Sequence, residues 1–585
     1  MKIRNIKGII STTLIAAMLC GTVTGCGMSF KATTESATAP SEVYTADDAF
    51  MDYGTEYYSE PAAEEYEAYC EEAPAAAYDT ADSAAETYYD YDVEESEAGN
   101  YKTVGKSEGS YLDDIYDYDR DTDAVNDGNN TEEYSELNER GYLSVKKHPL
   151  STFAADVDTA SYANLRRMIN DGYNLDQIPE GAVRIEEMIN YFDYDYEGPK
   201  GSDPFGVNTV VSSCPWNKNA MLMSIGLKTE DIDFSETPDS NLVFLIDVSG
   251  SMADEDKLPL LQDAFCMLAE ELSEKDRVSI VTYANGVDTV LKGAKGSDTR
   301  TIKKAIKGLM ASGGTNGGEG IKTAYRLAEK YFIKGGNNRV ILATDGDLNL
   351  GITSVDDLND LISEKKESGV YLSVIGFGKG NIKDNRMETL ADNGNGNYSY
   401  IDSEREAKKV LIDELSSNML TVCKDVKLQV EFNPEVVKGY RLVGYANRVM
   451  KDKDFNDDKK DGGEIGAGHE VTVLYEIIPN DDMACDLDEA DYMEDSDEIL
   501  TLSIRYKKPS GDKSSLLTYP VTFDSYEADP SDDFLFQSAV AEFGLVASDS
   551  LFSADADIDN VVDRLRSIDL NDEYKKEFYK LVRSL

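Results

Sequence analysis

The chain has 585 residues and a formal net charge of −56, with 113 acidic residues against 57 basic ones. This charge argues against electrostatic binding to nucleic acid or to an anionic membrane surface, and it favours cationic partners. The length predicts two or more domains, each with enough apolar residues for a core.

The N-terminus has the pattern of a bacterial export signal. Lys2, Arg4 and Lys7 form a positively charged region, and residues 8–20 form an apolar stretch that is short for a transmembrane helix. Residues 23–26, Val-Thr-Gly-Cys, resemble a lipobox. We therefore predict a signal peptide at residues 1–25, a lipid on Cys26 and an extracytoplasmic protein held in the cell membrane by that lipid. A plain secretory signal that is cleaved nearby is the alternative.

A long acidic segment follows, at residues 26–140. From Lys31 to Arg140 the sequence contains 32 Asp and Glu residues against 5 Lys and Arg residues, and it shows no helical or strand period. Such a segment cannot bury enough apolar surface to offset the entropy of ordering it. We predict a disordered acidic tether that acts as a spacer; the alternative is an acidic recognition segment that uses its many tyrosines.

The cysteines give no sign of zinc or redox chemistry, because no C-x-x-C pair is present. Cys214 and Cys423 flank the central part of the chain. A disulfide bridge between them is conceivable.

The stretch Asn241 to Met252, NLVFLIDVSGSM, is the most informative in the chain. It begins with an apolar run of the length of a buried central strand and ends in Asp247, Ser249 and Ser251. These three side chains would place hard oxygen ligands at the carboxyl edge of a sheet, where open α/β sheets bind ligands. Such oxygens suit Mg²⁺, Mn²⁺ or Ca²⁺.

The region around this stretch, residues 240–420, alternates apolar strands with amphipathic helices. This alternation predicts a doubly wound α/β sheet with right-handed crossovers. The predicted strands are Leu242–Ile246, Val278–Tyr283, Val287–Leu291 at an edge, Val340–Ala343 and Tyr371–Gly376. The predicted helices are Leu258–Leu272, Thr301–Met310, Gly318–Tyr331, Val355–Glu367 and Glu404–Asn418.

The flanking regions, residues 145–238 and 421–585, combine strands with helices. In residues 145–238 we predict helices at Ala160–Asp171 and Pro179–Phe192, then strands at Phe205–Ser212 and Met221–Lys228. In residues 421–585 we predict five strands, at Val426–Phe432, Tyr440–Gly444, Glu470–Ile478, Leu500–Tyr506 and Leu516–Phe523. Three helices complete this region, at Asp533–Ala547, Ile558–Leu565 and Asp572–Ser584. Strands on both sides of the central region predict a β-sandwich-like domain into which the central domain is inserted.

The D-x-S-x-S pattern at residues 247–251 resembles the metal-ion-dependent adhesion site of von Willebrand factor type A (VWA) domains. Two further segments match that family in order and spacing: Ser312-Gly-Gly-Thr-Asn316, and the strand that ends in Thr344-Asp345-Gly346. The resemblance implies a doubly wound, Rossmann-like VWA fold. It also implies that Ser249, Ser251 and Thr315 bind Mg²⁺ (or Mn²⁺ or Ca²⁺) directly, with Asp247 and Asp345 bound directly or through water.

A longer resemblance runs from about residue 145 to the end of the chain. The segments STFAADVDTASYANLRRMIN, GGNNRVILATDGDLNLGI, GFGKGNIKD and DFNDDKKDGGEIGAGH are similar to a family of bacterial extracytoplasmic VWA proteins, most of them predicted lipoproteins. The family has a similar N-terminal flanking region and C-terminal domain. Related VWA proteins also show the insertion of the VWA unit into a β domain.

Patterns of catalytic residues are scarce. The chain has two histidines, His148 and His469, with no H-E-x-x-H motif, no phosphate-binding P-loop and no nucleophile elbow. The acidic run at residues 454–462 fails the EF-hand template, so a solvated hairpin loop is the preferred interpretation. The sequence therefore predicts a protein that is not an enzyme.

The preferred function is binding of a protein ligand, through a divalent metal, to an Asp or Glu side chain of that ligand, in adhesion or envelope assembly. One alternative is a structural envelope lipoprotein with a vestigial metal site. Another is a VWA subunit of a larger enzyme complex, which the export signal argues against.

Overall fold

The computed structural model describes residues 131–585, apart from residues 156, 233–236, 315–317, 347–354, 481–497 and 510. All of these residues belong to one compact unit. The predicted signal peptide, Cys26 and residues 26–130 of the predicted tether lie outside the described residues. Residues 131–140, which the sequence analysis assigned to the tether, are part of the folded body.

The central domain is built on a six-stranded sheet in the order β10-β9-β8-β5-β6-β7. Five strands run parallel. Strand β7 lies at an edge, as predicted, and runs antiparallel to β6. The strands are β5 (Ser240–Asp247), β6 (Arg277–Tyr283), β7 (Val287–Lys295), β8 (Asn337–Thr344), β9 (Tyr371–Phe377) and β10 (Tyr398–Ile401). The short strand β10 was not predicted, because its four residues carry no distinct apolar period.

Helices cover both faces of the central sheet, which confirms the doubly wound architecture. Helices α3 (Leu258–Glu271), α4 (Thr299–Lys307), α8 (Glu404–Lys408) and α9 (Leu415–Met419) pack on one face. Helices α5 (Gly318–Lys330), α6 (Val355–Lys366) and α7 (Asp384–Asn393) pack on the other. The predicted helix Glu404–Asn418 is interrupted by a π-helical turn, Lys409–Asp413, in which the Glu414 N–H donates to the Lys409 carbonyl oxygen.

Two antiparallel sheets form the sandwich. Sheet A has the order β1-β12-β14-β4-β3; sheet B has the order β13-β11-β15-β16, with β2 paired to β11. Sheet A consists of β1 (Leu143–Ser144), β3 (Gly206–Ser213), β4 (Met221–Lys228), β12 (Val437–Val443) and β14 (Glu470–Pro479). Sheet B consists of β2 (Leu150–Ala154), β11 (Thr421–Phe432), β13 (Gly463–Gly466), β15 (Glu498–Lys507) and β16 (Ser515–Thr522).

The sandwich is completed by strands from both sides of the central domain. Strand β4, which precedes that domain, pairs with β14, which follows it. Alternate residues of β4, such as Met223 and Ile225, pack against sheet B residues such as Leu428 and Val430. The predicted insertion of the central domain into a β-sandwich is therefore confirmed.

A helical layer covers the other face of sheet A, around Leu222 and Leu474. It contains α1 (Ala160–Asn170), α2 (Ile185–Asn190), α10 (Asp532–Ala547), α11 (Ile558–Ser567) and α12 (Glu573–Arg583). Helix α2 is shorter than the predicted Pro179–Phe192, because a separate 3-10 turn, Glu180–Ala182, occupies the first part of that range.

Buried arginines connect the inserted domain to the rest of the body. Arg166 of α1 bonds Asp402 and Glu406 at 2.6 and 2.7 Å, and Arg184 bonds Asp384 at 2.5 Å. Because these guanidinium groups are almost fully buried, their carboxylate partners are required to stabilise their charge. The pairs therefore fix the orientation of the central domain on its neighbours.

Cys214 and Cys423 are both free and buried, and they lie in different hydrophobic cores. The conceivable bridge between them is therefore absent. In the part of the chain that the structure describes, no helix is both long and apolar enough to cross a bilayer.

His469 lies in the turn that leads into β14, and its Nδ1 accepts a hydrogen bond from the Gly466 N–H at 3.1 Å. Burial, together with the positive charge of Lys409, lowers the pKa of His469 to about 4. The unfolded chain, with a histidine pKa near 6.5, binds this proton more readily. His469 therefore favours unfolding as the pH falls from about 6.5 to 4.

We predict that wild-type protein loses ~2–3 kcal/mol of unfolding free energy, relative to His469→Gln, between pH 7 and pH 4. Comparing the two proteins separates the effect of His469 from that of Glu470. Burial raises the pKa of Glu470 to about 7. Urea unfolding at several pH values measures it. His148→Gln, at an exposed position, is the control and should behave as wild type. Parallel pH profiles for wild type and His469→Gln would contradict the prediction.

Candidate metal site

The site lies where two central strands end side by side. Strand β5 is buried along its whole length and pairs in parallel with β8, in a register that places Ile246 opposite Ala343. The next residues, Asp247 and Thr344, therefore meet at the carboxyl edge of the sheet. The Thr344 hydroxyl contacts the Asp247 carboxylate at 3.4 Å.

Asp247 is fully buried, and its carboxylate accepts the Ser249 backbone N–H at 2.8 Å. The pKa of Asp247 is raised to about 6, mainly by burial and to a smaller extent by the charge of Asp345, while the hydrogen bonds from Ser249 and Thr344 oppose the rise. The carboxylate thus lies in an environment that disfavours its negative charge. A cation bound beside it would offset that effect.

Ser249 and Ser251 project two hydroxyls toward each other, with 3.0 Å between their oxygens. Ser249 is buried, whereas Ser251 is exposed on the 3-10 turn Gly250–Ala253. Neighbouring ligands of an octahedral Mg²⁺ ion, each about 2.0–2.1 Å from the metal, are about 2.9 Å apart. The spacing of the two hydroxyls therefore fits adjacent positions around one such ion.

Asp345, which follows Thr344, supplies the second buried carboxylate. The Lys257 ammonium group donates to it at 3.0 Å, and both side chains are buried. The site therefore contains two carboxylates and one lysine within its buried part. A bound cation would offset this excess of negative charge.

Residues 312–314, which directly precede Thr315, are held beside Ser249. The Gly250 N–H donates to the Gly313 carbonyl oxygen at 2.9 Å, and the Ser312 N–H donates to Val248 at 2.8 Å. The Gly314 N–H donates to the Asn285 side chain at 2.7 Å. Thr315 itself lies outside the described residues, although its neighbour Gly314 is at the edge of the site.

The structure thus brings together four of the five residues named from the sequence, namely Asp247, Ser249, Ser251 and Asp345. It adds two that the sequence analysis missed. Thr344 could have been found, since it is the hydroxyl residue at the end of β8. Lys257 could not, because nothing distinguishes it in the sequence from a solvated lysine beside Asp254, Glu255 and Asp256.

Hydroxyl and carboxylate oxygens are the ligands that hard divalent cations prefer, so the residues present fit Mg²⁺, Mn²⁺ or Ca²⁺. The described part of the chain contains no group of three or more His, Cys, Asp or Glu side chains that could hold a metal ion. The two hydroxyls and two buried carboxylates at the edge of the central sheet make that edge the candidate site. His469 lies in the turn before β14 of sheet A, outside this edge.

Comparisons with protein families match almost the whole described chain. A family model described as von Willebrand factor type A domain matches residues 241–414. One described as von Willebrand factor matches residues 128–224, and one described as uncharacterized protein YfbK, C-terminal, matches residues 417–585.

Individual relatives agree with these matches. The chain is 42% identical over 431 residues to uncharacterized protein YfbK of Escherichia coli, covering 71% of this chain and 74% of that protein. It is 24% identical over 258 residues to inter-alpha-trypsin inhibitor heavy chain H3 of Mesocricetus auratus, covering 40% of this chain and 28% of that protein.

A solved structure, von Willebrand factor type A from Catenulispora acidiphila, matches with 16% identity and a TM-score of 0.39. The match covers 67% of this chain and 91% of that one.

Proposed function

The chain belongs to the YfbK family of von Willebrand factor type A proteins, and we propose that its VWA domain binds a divalent metal ion and, through that ion, an acidic side chain of a protein ligand. The observation that carries this proposal is the pair of buried carboxylates, Asp247 and Asp345, next to two hydroxyls 3.0 Å apart. Such a donor set is suited to holding a cation.

The composition of the site favours binding over turnover. Ser251 presents a neutral hydroxyl at an exposed position, and by resemblance Thr315 would supply another. When bound, a divalent ion supplies an electrophilic centre that attracts a carboxylate oxygen of a partner. The residues of this chain hold that centre at the exposed edge of the sheet, beside the exposed glycines Gly313 and Gly314.

The rigid carboxyl edge of the central sheet would make recognition of a protein ligand specific. Strands β5 and β8 fix Asp247 and Asp345. The backbone hydrogen bonds from Gly250 to Gly313 and from Ser312 to Val248 hold together the two loops that flank them. The site would then lose little conformational entropy when a ligand binds. We propose adhesion or envelope assembly as the setting of this interaction.

We also propose that Cys26 carries a lipid that anchors the protein on the outer side of the cell membrane. The charged start, the apolar stretch and the Val-Thr-Gly-Cys sequence at residues 23–26 support this proposal. The acidic segment up to residue 130 would then hold the folded body away from the anchor.

Cys26→Ser should therefore release the protein from the membrane fraction into the soluble extracytoplasmic fraction, because the acylated residue is lost. Cell fractionation with immunoblotting measures this. Cys214→Ser, at a cysteine in the folded body, is the control and should remain in the membrane fraction. Equal membrane retention of Cys26→Ser and wild type would contradict lipid anchoring.

The metal site is tested by thermal unfolding in Mg²⁺, Mn²⁺, Ca²⁺ or EDTA, with wild type compared with Asp247→Ala. A metal that binds only the folded state stabilises it by ~2.7 kcal/mol at a hundredfold excess over its dissociation constant. We expect the wild-type midpoint to rise with at least one metal and that of Asp247→Ala to stay unchanged. Asp263→Ala, at an exposed position on α3, is the matched control and should shift as wild type does.

If wild type shows no shift at millimolar metal, the metal-dependent function is wrong. The protein would then be better described as a structural envelope lipoprotein with a vestigial site, or as a VWA subunit of a larger complex. If wild type and Asp263→Ala shift, a pull-down of surface partners in metal and in EDTA identifies the ligand.

A further inference from the structure

The first described residues, Thr131–Tyr134, form a short extended segment that we call the strap. The strap lies against the loop between β9 and α7, residues 378–383. The Thr131 N–H donates to the Gly380 carbonyl oxygen at 3.0 Å, and the Glu133 N–H donates to that of Ile382 at 2.8 Å. Glu133 also forms a parallel β-bridge with Lys383. The strap therefore binds the β9–α7 loop in the manner of an added strand.

Side chains of the strap reinforce this attachment. Glu132 accepts the Gly380 N–H at 2.8 Å and pairs with Arg167 of α1 at 3.1 Å. Glu133 pairs with Lys383 at 2.9 Å and with Arg386 at 3.3 Å. The strap thus joins the start of the folded body to α1, to the β9–α7 loop and to α7.

The β9–α7 loop in turn packs against the candidate metal site. Gly346, which follows Asp345, has a φ of +101°, and a Cβ there would lie 2.5 Å from the Asn381 carbonyl oxygen. At the other end of the loop, a Cβ on Gly378 would lie 2.3 Å from the Lys257 side chain. Lys257 is the residue that bonds Asp345. The loop therefore contacts Gly346, which follows Asp345, and Lys257, which pairs with the Asp345 carboxylate.

These contacts form a continuous path, from the strap to the β9–α7 loop and from the loop to Asp345 and Lys257. We propose that the strap is a positioning element of the metal site: by ordering the β9–α7 loop it holds Asp345 in the geometry that binds metal. This inference rests on the function proposed above. Since the strap directly follows the acidic N-terminal segment in sequence, a partner or a force acting on that segment would act on the metal site.

The strap is suited to such a role because it is a single short segment at the rim of the folded body, with Thr131 exposed. Its hydrogen bonds and ion pairs go to the β9–α7 loop, to α1 and to α7. Such peripheral segments open locally at a smaller free-energy cost than buried central strands. Local opening of the strap would therefore disturb the β9–α7 loop before it disturbs the central sheet that holds Asp247.

Glu133→Lys in the full chain tests the proposal, because it places a third positive charge beside Lys383 and Arg386. We expect about tenfold faster amide hydrogen exchange in residues 378–384 and a three- to tenfold weaker affinity for Mn²⁺, measured by titration calorimetry. Glu136→Lys makes the same charge change at an exposed position three residues further along and is the matched control; it should leave both quantities unchanged. The double exchange Glu133→Lys with Lys383→Glu restores an ion pair and should recover part of the affinity.

Faster exchange in residues 378–384 with unchanged Mn²⁺ affinity would show that the strap is structural only and would overturn the proposal. An equal loss of affinity in Glu133→Lys and Glu136→Lys would overturn it as well, since net charge alone would then be responsible. If wild type binds Mn²⁺ and Glu133→Lys binds it equally, the strap proposal fails while the proposed function stands. If wild type binds no Mn²⁺, both fail.

Discussion

The parallel pairing of β5 with β8 brings two buried carboxylates, Asp247 and Asp345, to one edge of the central sheet. Burial, and to a smaller extent the negative charge of Asp345, raises the pKa of Asp247. The Lys257 ammonium group pairs with Asp345. The divalent cation proposed above would offset the cost of holding two carboxylates in this buried setting.

The rest of the fold keeps this edge in a fixed place. The central domain is inserted into the β-sandwich, and the buried guanidinium groups of Arg166 and Arg184 attach it to the flanking helices. The strap lies beside the β9–α7 loop, which packs on Gly346. The strap and the candidate metal site therefore share one region of the central domain, which gives the inferred control by the strap a physical basis.

Much of this could be predicted from the sequence because its signals are local. The apolar run Leu242–Ile246 and the alternating helices predicted the central sheet, and the order of its motifs predicted four of the site residues that the structure describes. Features that depend on distant contacts were missed. Lys257 pairs with Asp345 only because the fold brings the start of α3 next to the end of β8. The strap cannot be distinguished in sequence from the acidic segment before it. Helix α7 was missed because it has few apolar residues. Packing against β9 and α6 stabilises it.

The central claim is that a divalent metal binds at the hydroxyl pair of Ser249 and Ser251. Crystals grown with Mn²⁺ and measured for anomalous scattering test it most directly, since the signal locates the ion without reference to activity. The account predicts a strong peak about 2.0–2.3 Å from both serine oxygens, beside Asp247. No peak at that position, or Mn²⁺ found only on exposed carboxylates such as Asp254 and Glu255, would contradict it.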